Sequence, residues 1–302
     1  MGTKRTNPPK GDKQFLLENI SSLDLRAWKK IASKIESYNI QLFYHLAGLR
    51  AIHADEIQDS LRQTKIETLS EQKWCRIVDF RFSDNPLSPK GSLIQGGRFN
   101  IGDDLDPSNF PSYPALYVAQ DYKAAYAEKF TISNKNKSKI FQGHELALRT
   151  NQSFSSVAVN VEVKNIFDGT NANNLKPLVS VINKFSMPNE LKELGKEIGR
   201  DAPWIINTPR QLKETLLADD WRSYPVQYDI PSNPQILGRL LFDAGFEGIL
   251  YPSTKAARKK CIALFTDNFS GSNSFVELAD IPHSGVKHTR LDQNNCLSII
   301  ND

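Results

Sequence analysis

Residues 74–102 read WCRIVDFRFSDNPLSPKGSLIQGGRFNIG, and residues 113–130 read YPALYVAQDYKAAYAEKF. The apolar run 115–119 predicts a buried strand, and Asp121 can cap a following helix that carries Glu128 about two turns in. Ahead of it, a strand around residues 74–77 leads to the paired glycines Gly96 and Gly97, which let the backbone turn sharply. Strand, glycine turn, strand and helix together gather Arg76, the run Gly96-Gly97-Arg98-Phe99-Asn100, Tyr117 and Glu128. Two guanidiniums, a phenol and a carboxylate in one pocket suit a ligand that is phosphorylated at one end and develops positive charge at the other.

The rest of the chain sets the bounds. At 302 residues, 39% hydrophobic and 24% charged, it has room for one large or two modest domains with a real core. Cys75, Cys261 and Cys296 share no metal-type spacing and leave an odd thiol, so neither a disulfide framework nor a metal site is expected. A reducing, cytoplasmic setting fits best. The basic N-terminal segment MGTKRTNPPKGDKQ lacks an apolar core of signal-peptide length, and no apolar run approaches a membrane span, so no membrane partner is expected. A net charge of +4, with lysines scattered through amphipathic segments, gives little ground for direct nucleic-acid binding.

Taken in order, residues 1–14 read as a disordered basic tail and 15–70 as a helical N-terminal extension, with Leu25, Trp28, Ile31, Ala32 and Ile35 at helical spacing behind Ser22 and Asp24. His45 and His53 lie here and read as structural. A catalytic domain over 71–267 follows, with a polar loop at 131–139 and a strand marked by Val157, Val159, Val161 and Val163. A helical insertion occupies about 166–235: one helix over 175–187, one opened by Pro188, and one capped by Thr208-Pro209. Residues 221–234 read as a proline-broken connection, and Pro234 then opens a helix stopped by Gly245. Strands are predicted at 248–251 and 261–265, and the Ser-, Asn- and Gly-rich segment 268–302 as an unstructured tail.

Taken singly, the candidate residues say little. A Gly-Gly-Arg turn is most often a plain hairpin, and neither GxGxxG nor GxxxxGK[ST] occurs. A lone helical Glu is usually a solvated charge. Ser253 sits just beyond a strand end, where α/β folds often bind ligands, and Arg258, Lys259 and Lys260 follow it.

Together, WCRIVDFRFSDNPLSPKGSLIQGGRFN, PALYVAQDYKAAYAE and GILYPSTKAARKKCIALF resemble the three blocks of the RES domain, named for Arg, Glu and Ser. The resemblance covers roughly 74–165 and 236–266. Phe99 stands where the family more often has Trp, and GDDLDPSNFPSY lengthens the loop before Tyr117. RES proteins are best known as toxins of bacterial toxin–antitoxin pairs. The resemblance therefore implies an α/β (α+β) fold akin to ADP-ribosyltransferases, with NAD+ as substrate in a cleft between β-sheets and no metal. It implies that Arg76, Glu128 and Ser253 are catalytic, that Arg98, Tyr117, Gly97 and Asn100 bind NAD+, and that the nicotinamide–ribose bond is cleaved. Inorganic phosphate or water would accept the ADP-ribose, and a cognate antitoxin or immunity protein would be the partner. Two alternatives stay open: a mono-ADP-ribosyltransferase acting on a protein, and a non-catalytic binding module.

Overall fold

The computed structural model describes residues 22–130 and 153–301. The tail expected at 1–14 and the polar loop expected at 131–139 lie outside the described residues. Seven strands form one sheet in the order β1-β2-β5-β4-β3-β6-β7: β1 (Lys65–Asp79), β2 (Leu116–Ala119), β3 (Phe154–Asp168), β4 (Gly248–Pro252), β5 (Lys260–Leu264), β6 (Phe275–Leu278) and β7 (Arg290–Asp292). An additional antiparallel pairing of β1 with β3 brings the sheet back on itself. Cys75 pairs with Ala119 on one side and Ala158 on the other, and Ile166 pairs with both Ile66 and Gly248, so β1, β2, β5, β4 and β3 close a ring. β6 and β7 extend from the free edge of β3. Strands and helices thus make the mixed α/β (α+β) fold expected, with the strands in one seven-stranded sheet curled into a ring where the resemblance implied a cleft between sheets.

Strand periodicity sorts the core into two layers. On β5, Cys261 and Ala263 join a cluster with Phe99, Ala119, Ala124 and Tyr251, while Ile262 and Leu264 join one with Trp74, Leu116, Val161 and Phe269. Helices cover the first layer. The second is completed by Leu291, Cys296 and Ile299 from the C-terminal segment. That segment, expected to be an unstructured tail, therefore supplies two strands and buried core residues; β3 provides the edge that organises it. All three cysteines are free and buried.

Nine helices occur among the described residues. α1 (Ser22–Ile52) and α2 (Ala54–Arg62) precede the sheet, so the helical extension ends before residue 65, where β1 begins. Tyr38 of α1 packs with Met187 and Leu191, and His45 Nε2 donates to the Ser186 carbonyl at 2.7 Å. Trp28 and Ile31, expected on a packed face, are 71% and 52% exposed. α3 (Lys90–Ile94) and α4 (Tyr122–Phe130) lie between β1 and β3.

The segment between β3 and β4 holds α5 (Lys176–Ile182), α6 (Asn189–Glu197), α7 (Pro209–Leu216), α8 (Ser223–Tyr228) and α9 (Asn233–Asp243). α5 is shorter than expected, and Thr208 caps α7 by accepting from Gln211 N at 3.2 Å. α8 occupies the stretch expected as a broken connection, because Pro225 falls in its first turn, where no intrahelical N–H is needed. A Ser232–Gln235 capping box opens α9, and Gly245 follows it at φ +80. No described helix is long and apolar enough to cross a membrane.

Candidate active site

β1 delivers Arg76 to the site, and its guanidinium is already occupied. Nε donates to Pro86 O at 2.7 Å, Nη1 to Tyr117 O at 3.0 Å and Nη2 to Ser88 O at 2.9 Å. Burial lowers its pKa to about 10, so it stays charged at neutral pH. The side chain expected to grip phosphate instead ties β1 to β2 and to the 86–88 loop, with three of its five donors committed to carbonyls.

The turn at 96–100 is built around Asn100. Its Oδ1 accepts from Gly97 N and the Tyr117 hydroxyl, each at 2.9 Å, and its Nδ2 donates to Ser92 O at 2.8 Å and Tyr113 O at 3.1 Å. Tyr117 Oη in turn accepts from Phe99 N at 2.9 Å. A Cβ on Gly97 would overlap the Tyr117 hydroxyl, so the close approach requires glycine. Asn100 is 0% exposed and fully bonded, which removes it from the expected ligand contacts. Burial raises the Tyr117 pKa and keeps the phenol protonated, leaving its ring to line the cavity.

Arg98, expected to bind phosphate as a fork, is 7% exposed. Its Nη1 donates to Leu216 O at 3.1 Å and Ala218 O at 2.7 Å, and Nη2 to Thr254 Oγ1 at 3.4 Å. It therefore binds the carbonyls at the end of α7, a favourable place for a cation, and links them to the β4–β5 connection.

That connection meets Glu128. Asp121 caps α4 by accepting from Ala124 N at 2.8 Å, and the small buried Ala124 and Ala125 seat the helix against the core. Ser253 Oγ donates to Glu128 Oε1 and accepts from Ala256 N at 2.8 Å and Lys255 N at 3.3 Å. With its one donor and both acceptor positions engaged, Ser253, expected to be catalytic, orients Glu128 in this structure. Thr254 N at 2.8 Å and Lys255 N at 3.2 Å donate to the same Oε1. Glu128 Oε2 has no hydrogen bond among the described residues, and no cation pairs with this carboxylate.

These groups line a cavity of about 580 Å³, within the usual range of ~300–1,000 Å³ for small-molecule sites. Its Lys and Arg residues number six (76, 81, 98, 129, 222, 255) against three Asp and Glu (79, 128, 219). Lys129 pairs with Asp79 at 2.7 Å and Lys255 with Asp219 at 3.0 Å. Arg222, just before α8, was not singled out from the sequence. It stacks on Trp221 at 4.3 Å and makes one hydrogen bond, Nη2 to Gly96 O at 2.9 Å, so most of its donors are uncommitted among the described residues. Among the described residues, no group of three or more His, Cys, Asp or Glu side chains could hold a metal.

The sequence model of the RES domain family matches residues 73–282. The matched span includes the helical segment 166–235 and extends past 267 beyond β6. Among solved structures, a chain in the crystal structure of the M. tuberculosis MbcT-MbcA toxin-antitoxin complex shares 12% identity at a TM-score of 0.42, covering 82% of this chain and 98% of that one. A search of curated proteins finds no match.

Proposed function

The chain belongs to the RES domain family, and on that premise we propose that it consumes NAD+ by cleaving the nicotinamide–ribose bond, as the toxin of a toxin–antitoxin pair. The observation that carries the reading is the asymmetry of Glu128. One carboxylate oxygen is fixed by Ser253, Thr254 and Lys255, and the other is left for a ligand in a net-positive cavity.

The chemistry follows from the charges. The ribose C1′–N bond breaks with its electrons going to the pyridinium, which leaves as neutral nicotinamide without needing a proton. Positive charge then develops on the sugar, and a preorganised carboxylate is the natural stabiliser. Glu128 Oε2 accepts a ribose hydroxyl and offsets that charge. The Tyr117 ring packs beside the nicotinamide or its ribose. Arg222, with its uncommitted donors, binds the pyrophosphate, and Arg98 and Lys255 add positive potential. An oxygen of phosphate or water then forms the new bond to C1′, with water giving up one proton to solvent as it adds.

Incubating the purified chain with NAD+, with and without inorganic phosphate, tests this. The expected products are nicotinamide with phosphorylated ADP-ribose when phosphate is present, or with free ADP-ribose when water is the acceptor. Label transferred to a protein, with no free ADP-ribose product, would replace this reading by a transferase. Intact NAD+ would overturn cleavage altogether. In cells, expression without a protective partner is expected to arrest growth and deplete NAD+.

A further inference from the structure

A second cavity, of about 340 Å³, lies between α1 and the helices α5, α7 and α9. Most of its wall is apolar, with Leu46, Ile182, Leu212 and Leu240 among the lining residues; no Asp or Glu lines it, and a second guanidinium, Arg200, sits at its wall over the Tyr38 ring at 5.2 Å. Into this wall α1 places Arg50 and Asn39. The Arg50 side chain has no ion pair and no hydrogen bond among the described residues; its guanidinium carbon lies 5.6 Å from the centroid of the Phe43 ring. Asn39 is 4% exposed and likewise makes no hydrogen bond there.

Buried polar groups are normally satisfied, and a sheltered cation without a counter-charge is costly. The C-terminal turn of α1 favours a cation but gives it no acceptor. Burial draws the Arg50 pKa down only to about 10, so the guanidinium keeps its charge at neutral pH. Its planar fork matches a carboxylate, and the Asn39 amide adds a donor. At roughly 30 Å³ per non-hydrogen atom, the share of a liquid water molecule, the volume admits a ligand of about ten such atoms.

We propose that this cavity binds a small aliphatic carboxylate, with its carboxylate on Arg50 and Asn39 and its chain against the leucine and isoleucine wall. The site is separate from the NAD+ reading. It is nevertheless adjacent to the first cavity, because Leu216 lines this one while its carbonyl accepts from Arg98.

Octanoate and 1-octanol, which share a chain length and differ in charge, serve as probes for the full-length protein. Trp204 lines this cavity and Trp221 the other, so Trp204→Phe and Trp221→Phe locate the binding by fluorescence. Octanoate is expected to change the fluorescence saturably, with the change lost in Trp204→Phe and kept in Trp221→Phe. Octanol is expected to bind at least roughly tenfold more weakly, the scale of one charge-assisted hydrogen bond. Arg50→Met is expected to abolish that preference while circular dichroism shows an unchanged fold. Absence of saturable binding, equal affinity for the two probes, loss of signal in Trp221→Phe instead of Trp204→Phe, or an Arg50→Met variant that keeps the preference would each overturn the proposal. If Arg50→Met does not fold, the wild-type probe ratio and the two tryptophan variants still decide.

Discussion

The two sides of the first cavity contrast in how their polar groups are used. On the strand-and-turn side, Arg76, Asn100 and the Tyr117 hydroxyl bond to backbone carbonyls, backbone N–H groups or one another, and little capacity remains. On the side formed by α4, the β4–β5 connection and the Trp221-Arg222 pair, capacity is left over: one oxygen of Glu128 and most of the Arg222 fork. The first side is a scaffold that happens to carry charge, and the second is where ligand chemistry can occur. A charged residue in a pocket is thus assigned by its partners, not by its type.

Substitutions can break this contrast. The largest effect on stability is expected for Arg76→Met, which removes one donor from each of three carbonyls. At ~1–3 kcal/mol for each unsatisfied buried group, the loss is about 3 kcal/mol or more, read as a lower urea midpoint. An unchanged midpoint with activity lost would move Arg76 from the scaffold to the chemistry. Arg222→Gln should do the opposite, raising KM for NAD+ roughly 10- to 100-fold with the melting temperature unchanged, because a charge-assisted phosphate contact is lost. A variant that melts early with a normal KM would make Arg222 a scaffold residue.

Ser253→Ala removes one of three donors to Glu128 Oε1, so kcat should fall about tenfold and Ser253→Thr should recover much of it. A raised KM with kcat unchanged would mean that Ser253 touches the ligand after all. The smallest effect is expected outside both regions. Burial pushes the Asp267 pKa up to about 6, so ionising this group in the folded state opposes folding as pH rises from its ordinary value of 3.8 through about 6. Asp267→Asn should therefore raise the melting temperature by about 1–3 °C above pH 6 and leave it unchanged near pH 3, read from thermal melts across that range.

Local signals in the sequence were reliable where one short segment carries its own pattern. The apolar run before Asp121, the Thr208-Pro209 cap and the valine alternation in β3 all correspond to observed elements. β6 and β7 were illegible because strands of four and three residues are too short to show alternation, and their order comes from pairing, β6 with β3 and β7 with β6. α8 was missed because Pro225 looks like a breaker unless its first-turn position is known. The task of Arg76 could not be read for a deeper reason. Its acceptors are carbonyls of residues 86, 88 and 117, and every residue type has a carbonyl. The sequence placed Glu128 on a helix beside the glycine turn and matched it to the Glu of the RES blocks, but its anchoring could not be read, since its three donors come from residues 253–255, more than a hundred positions away.

Nicotinamide release by Glu128→Gln, measured beside the wild type on protein shown by melting temperature to be equally folded, tests the central claim most directly. The amide can still accept at one oxygen but cannot offset charge on the sugar, so the rate should fall about 100- to 1,000-fold. Release within threefold of the wild-type rate would contradict the assignment of Glu128 as the group that stabilises the reacting sugar.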